Sequence, residues 1–219
     1  MKQKNSELLK KICGIGVFAA LAYITTFICQ FIPKFAGFLS LDAKDAIIAI
    51  SAFIFGPVVG PIISLIVAFI EFITISETGP WGFLMNFASS AVFSLTASLI
   101  YKFRKSFNGA IIAFAAATVT TTAVMLMLNP IIVPLYSGAP REVVIDMLPT
   151  VLLPFNFAKT LMNSAIAMLL YKPIINAMRA SRLIPRSEFK TEFNKTSVLT
   201  LIIGGVSLLC AVIILIIIW

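Results

Sequence analysis

The chain alternates long apolar runs with short breaks that are polar or carry proline. The runs fall at residues 12–32, 46–55, 57–75, 82–101, 110–128, 148–171 and 198–219. A bilayer core of about 30 Å takes roughly 20 apolar residues in helical form. Most of the runs have that length and are read as helices. The alternation over roughly ten residues that marks a membrane barrel is missing. The run at 46–55 is too short to cross alone, so it is expected to begin nearer Leu41 or to tilt within the protein. Two prolines in GPVVGP, residues 56–61, separate it from the next run.

Two of the breaks are unusual. FAGFLSLDAKDA, residues 35–46, is too apolar for a solvated loop and is expected to fold back over the mouth of the bundle. NPIIVPLYSGAP, residues 129–140, carries Pro130, Pro134 and Pro140 and is expected to be irregular rather than helical. Irregular backbone near a membrane must be buried in protein or line a cavity. Together the two segments predict an outward-facing pocket with an apolar lid.

Composition agrees with the runs. The 219 residues are 60% hydrophobic and only 12% charged, with a mean hydropathy of +1.04. A soluble domain carries about 25% charged residues. The fold class is therefore all-α integral membrane. The net charge of +8 is explained by position rather than by nucleic acid. Thirteen of the seventeen basic residues sit before the first run, in the 102–105 cluster, or between Lys172 and Lys195. Such alternate-loop bias marks the cytoplasmic side. Counting from a cytoplasmic N-terminus puts residues 33–45, the loop near Glu77, and residues 129–147 outside. The first run follows a basic stretch, as a signal peptide would, but lacks an A-x-A cleavage site and is read as a retained span. Residues 1–178 form one membrane domain, 179–197 a cytoplasmic linker, and 198–219 an additional C-terminal transmembrane helix. That last run has no polar residue beyond Ser207 and reads as a lipid-facing anchor.

Several chemistries are excluded or unsupported. Without histidine there is no His-based catalysis. Cys13, Cys29 and Cys210 have no metal-ligand or disulfide spacing. Neither a phosphate-binding loop nor a hydrolase or metalloprotease motif occurs. The chain has no means of using ATP on its own.

Polar groups at membrane depth carry the chemistry. In LLPFNFAKTLMNS, residues 152–164, Asn156 and Lys159 lie three apart on one helix face, and Asn163 continues it. An intramembrane lysine must face protein, water or ligand. It is either a structural lysine paired with Glu71 or Asp42, or one half of a recognition face. The amide and the cation suit a planar ligand edge with carbonyl acceptors and ring nitrogens. Glu71, near the outer end of its span, is either an interfacial carboxylate or a site residue. In SETGPWGFLMN, residues 76–86, tight turns and an interfacial Trp81 account for much of the pattern, while Asn86 can face the bundle. Gly16 and Ala20 form a small-xxx-small pair on the first run, which lets another helix approach closely.

Read in order, the small-residue first helix, FLSLDAKDAIIAI, FGPVVGP, GPWGFLMNFASS, NPIIVPLY and PFNFAK make residues 10–178 resemble the substrate-binding S component of energy-coupling factor (ECF) transporters. The riboflavin-specific members are the most similar, on LDAKDA, NPIIVPLY and N-x-x-K. The resemblance implies a six-helix S-component bundle in a bacterial plasma membrane that captures a vitamin outside. It implies partners: a transmembrane coupling subunit and two cytosolic ATPases. It implies riboflavin as the transported ligand, with FMN left open, and no resident cofactor. Carried over to this chain, the flavin contacts are Leu41, Asp42, Ala43, Thr78, Gly79, Asn129, Asn156 and Lys159, with Phe38 and Trp81 as ring neighbours. Gly16 and Ala20 map to the coupling-subunit face. Two departures stand out: LDAKDAI replaces the more usual L-D-x-S-D-I-P, and the run after Val198 is extra to six helices. The other readings are an S component for another vitamin or base, a membrane enzyme using Glu71 or Lys159, and a structural protein. The enzyme lacks a nucleophile–base constellation, and the structural reading leaves the polar face of the sixth span without a purpose.

Overall fold

The computed structural model describes residues 2–181, 183 and 195–218, with side chains described from residue 8 onward and, in the last segment, from residue 198. Most of the 179–197 linker, including Arg182, Arg186 and Lys190, therefore lies outside the described residues. The elements are α1 (Lys2–Cys29), α2 (Lys44–Phe55), α3 (Val59–Thr74), α4 (Gly79–Phe103), α5 (Phe107–Ser137), α6 (Arg141–Met147), a π-helical turn (Leu148–Leu152), α7 (Leu153–Ala180) and α8 (Lys195–Ile218). Among the described residues the only β feature is an isolated bridge between Phe35 and Leu39. Helices α1 to α5 and α7 form the six-helix bundle, and α8 lies against α7.

Among the described residues five segments are long and apolar enough to cross a membrane: Leu8–Cys29, Gly79–Phe103, Phe107–Ser137, Arg141–Ala180 and Val198–Ile218. Helices α2 and α3, with 12 and 16 residues, are shorter. The short run at 46–55 is an inner helix that starts at Lys44. All its residues from Lys44 to Ala52 are buried, because α1, α3, α4 and α7 surround it. The Gly60 position shows how tightly α3 and α4 meet. A Cβ there would stand 2.5 Å from Ser94 Oγ, so a side chain would part the helices.

The expectation of irregular backbone at residues 129–140 is corrected. Helix α5 runs unbroken through Pro130 and Pro134 and stops at Gly138, whose φ of +70° is the left-handed conformation that ends helices. The reason is solvent. Leaving the helix at this depth would strip many backbone groups of partners, whereas each proline removes one hydrogen bond. Two side chains back up the strained turns: Asn129 Nδ2 donates to the Met125 carbonyl at 2.6 Å, and Ser137 Oγ donates to Val133 at 2.7 Å. Irregularity appears further on, as the π-helical turn that opens α7 around Pro149.

Asn163 on α7 fixes the start of α2. Its Oδ1 accepts from the Ala46 N–H at 2.9 Å, and its Nδ2 donates to the Asp42 carbonyl at 2.9 Å and to the Lys159 carbonyl at 3.0 Å. The Ala46 N–H is one of the donors a helix N-terminus leaves without an intrahelical partner. The side chain is fully buried, so no water replaces it. Asn163→Ala is expected to lower stability by about 2–4 kcal/mol, since each orphaned buried group costs about 1–3 kcal/mol. Thr120→Ala, on the exposed face of α5, should change stability by less than about 0.5 kcal/mol. Thermal unfolding in detergent compares the two, and equal effects would remove the anchoring role.

Candidate ligand-binding site

The ends of six elements converge at one end of the bundle. They are the C-terminal turns of α1, α3 and α5 and the N-terminal turns of α2, α4 and α7. They enclose a cavity of about 310 Å³, within the size range of small-molecule sites. The Lys102–Lys105 cluster, Lys172 and Arg179 stand at the opposite end, because α4 and α7 each run the length of the bundle between them.

The apolar loop closes over this cavity, as its sequence predicts. Phe35 and Leu39 are buried, their backbones bond each other at 2.9 Å in both directions, and the Phe35 ring lies 5.4 Å from that of Phe155. Ala36 takes a left-handed φ of +49° so that the chain can turn back within five residues. At the rim, Lys34 on this loop pairs with Glu77 on the α3–α4 loop.

The floor is a buried network of charges. Lys44 Nζ donates to both carboxylate oxygens of Glu71 at 2.8 Å and stands 3.7 Å from Asp42. Lys159 Nζ pairs with Asp42 Oδ2 at 2.7 Å and reaches the Ser40 carbonyl at 3.4 Å. Asn86 Nδ2 donates to Glu71 at 3.0 Å, and Ser90 Oγ donates to Asp45. Lys44, Glu71, Asp42 and Asp45 are each 3% exposed or less. Two carboxylate oxygens, Asp42 Oδ1 and Asp45 Oδ2, have no hydrogen-bond donor. Five charged side chains thus lie inside this end of the bundle, held by one another and by amides and a hydroxyl.

Six of the eight ligand-binding candidates line the cavity: Leu41, Asp42, Thr78, Asn129, Asn156 and Lys159. Ala43 and Gly79 do not. Each neighbours a lining residue, and a chain that turns into a helix at Lys44 or Gly79 presents only some of its side chains to one side. Phe38 lines the cavity, but Trp81 does not and is 40% exposed on the outside of α4. Lys159 unites the two roles weighed for it, since it is paired with Asp42 and also faces the cavity. Asn156 donates its Nδ2 to the Leu152 carbonyl at 2.8 Å, leaving Oδ1 for a donor in the cavity. Asn129 has the same back-bonded posture.

Lys44 and the methionines Met85 and Met125 were not among the sequence candidates, yet all three line the cavity. Lys44 had a signal: a cation where the loop motif more usually has serine. On the first helix, Gly16 has open space where its Cβ would be, and Ala20 is exposed, so that small-residue face has no partner within the described residues. Among the described residues no cluster of acidic, cysteine or histidine side chains suits a metal ion.

The family described as "ECF transporter, substrate-specific component" matches residues 10–175. The chain is 30% identical over 184 residues to a protein named riboflavin transporter RibU from Staphylococcus aureus (strain TCH60), with 81% of this chain and 97% of the relative covered. It is 22% identical over 187 residues to one named riboflavin transporter FmnP from Bacillus subtilis (strain 168), covering 80% and 98%. Among solved structures it resembles the S component of a bacterial ECF transporter, with a TM-score of 0.67, 31% identity, and 78% of this chain and 99% of that one covered. Family match, multi-pass helical fold and a polar-floored cavity at one end agree, and this membrane protein belongs to the substrate-specific S components of ECF transporters.

Proposed function

We propose that this chain is the riboflavin-binding subunit of an ECF-type uptake transporter in a bacterial plasma membrane. The observation that carries the reading is a single cavity that joins an apolar, aromatic lid to an amide-and-lysine floor, in a chain whose relatives are named riboflavin transporters. A flavin has both characters. Its tricyclic ring is flat and largely apolar, while its pyrimidine edge alternates carbonyl oxygens with an N–H. Phe38, Phe155, Met85 and Met125 suit the ring. Asn156 Oδ1 accepts from the ring N–H, and Lys159, with three donors of which Asp42 and the Ser40 carbonyl take two, gives the third to a carbonyl. Leu41, Asp42 and Thr78 border the rest of the molecule, and Asn129 supplies a further amide. The ribityl hydroxyls extend toward Ser40, Ser76 and Glu77 at the mouth.

The basic end of the bundle faces the cytoplasm and the cavity faces outside, by the positive-inside bias. The chain captures its ligand there and takes no part in ATP hydrolysis. A transmembrane coupling subunit and two cytosolic ATPases supply the energy. The open small-residue face at Gly16 and Ala20 is where the coupling subunit packs, because its backbone can be approached closely. Riboflavin is cargo, and no resident cofactor is proposed.

Three measurements test this. The purified protein should quench the fluorescence of added riboflavin, and FMN titrated in parallel reports whether the Lys34 rim accepts a phosphate. No quenching at concentrations on the order of micromolar would sink the flavin reading. Lys159→Ala is expected to weaken riboflavin binding at least tenfold, about 1.4 kcal/mol, and unchanged affinity would make Lys159 purely structural. Gly16→Leu and Ala20→Leu should slow cellular uptake while purified protein binds riboflavin normally. Normal uptake in both would remove the docking role.

A further inference from the structure

We infer that α8, the helix beyond the shared S-component fold, is a positioning element for the ligand site. The family match ends at residue 175, and the related solved structure is covered almost completely while 78% of this chain is used. Helix α8 is therefore additional. Its buried and half-buried residues fall on one stripe at three- and four-residue spacing, which includes Gly204, Ser207, Ala211, Leu215 and Ile218. That stripe faces α7. A Cβ on Gly204 would stand 2.9 Å from Leu169 Cγ and 3.5 Å from the Ala165 carbonyl, so the two helices touch nearly backbone to backbone at this level. Eleven residues further on, Leu215 is 6% exposed and belongs to the same apolar cluster as Phe155, Phe35 and Leu39. The helices are thus antiparallel, and the end of α8 reaches the cavity end of α7.

What α8 reaches there is the start of α7, beside the π-helical turn. The π-helical turn, Leu148–Leu152, opens α7 between Pro149 and Pro154. Such turns are rare within α-helices and are frequent at functional sites. Leu148, Val151 and Leu152 share the apolar cluster with Ile214, Leu215 and Ile218. Asn156 donates its Nδ2 to the carbonyl of Leu152, the last residue of that turn, and Phe155 supports the lid through Phe35. Holding the turn in place therefore holds Asn156 and Phe155 in their binding postures. Helix α8 achieves this from behind, without touching the cavity.

The inference rests on the flavin reading only for its ligand readout, so the test has two arms on the full-length protein. Gly204→Leu wedges α8 off α7, Leu215→Ala removes its deepest side chain near the turn, and Ile216→Ala, 69% exposed, is the control. The first arm follows amide hydrogen exchange of residues 148–156. The second follows riboflavin dissociation. Exchange should accelerate at least tenfold and dissociation about fivefold in Gly204→Leu and Leu215→Ala but not in Ile216→Ala, and Leu215→Met should restore both. Should Gly204→Leu fail to fold, Leu215→Ala and its rescue decide alone. Unchanged exchange in Leu215→Ala overturns the inference, as does faster exchange with unchanged riboflavin release. Should the unmodified chain bind no riboflavin, the flavin reading falls and the exchange arm alone decides what α8 does.

Discussion

The structure depends on holding five charged side chains inside the bundle. Moving an isolated ion into a low-dielectric interior costs several kcal/mol even after relaxation. Lys44 with Glu71 at 2.8 Å and Lys159 with Asp42 at 2.7 Å avoid that by holding each other, while Asp45 is held by the Ser90 hydroxyl. They come from the α1–α2 loop, α2, α3 and α7, and Ser90 and Asn86 bring in α4. Each contact therefore ties two elements together at the same level of the bundle. Removing one partner from a buried pair costs about 3–5 kcal/mol, because the other charge is left behind. The network stabilises less than its contacts suggest, but it allows one arrangement of the helix ends, which is what a binding site needs.

This explains why the departure in the loop motif is tolerated. A lysine in place of serine at position 44 would by itself be ruinous, since it is 2% exposed. It is acceptable because Glu71 lies one helix away with both oxygens available, and because Asp42 is 3.7 Å off. The pair then becomes part of the cavity wall. A change that looks like a weakening of the ligand motif is compensated within the same site.

How much of this was legible in the sequence depended on the range of the interaction. Helix spans were legible, because hydrophobic length is a local property. The covering loop was legible too, since Phe35, Phe38 and Leu39 had no business in solvent. Asn156 and Lys159 on one face followed from helical spacing. Three things were not legible. The helical path through Pro130 and Pro134 depends on the absence of competing water, which a proline count does not express. The Lys44–Glu71 pair spans 27 positions, and nothing local announces it. The side of the chain shown to the cavity at Ala43, Gly79 and Trp81 depends on helix rotation, which only packing fixes. The last run reads as a lipid-facing anchor and most of its surface is exposed, but the face it packs against α7 through Gly204 and Ala211 is again something only packing fixes.

The site thus divides into a fixed floor and a cover held by weaker forces. Charge pairs and the Asn163 bonds pin the floor, and none of them is solvent-accessible enough to be exchanged for water at low cost. The cover is held differently. Its rim ion pair, Lys34 with Glu77, has side chains 30% and 68% exposed, and such surface pairs contribute about 0–1 kcal/mol. What keeps the loop down is the burial of Phe35 and Leu39, worth about 1.5–3 kcal/mol each, less the strain of a left-handed alanine at Ala36. A loop held by a few kcal/mol over a floor whose buried pairs are costly to break can open without loosening the residues that recognise the ligand. The apolar residues that shut the cavity also lie where a flat ring would rest. A ligand with an apolar face therefore adds to the closure, and recognition by the floor and retention by the cover become separate contributions to one binding event.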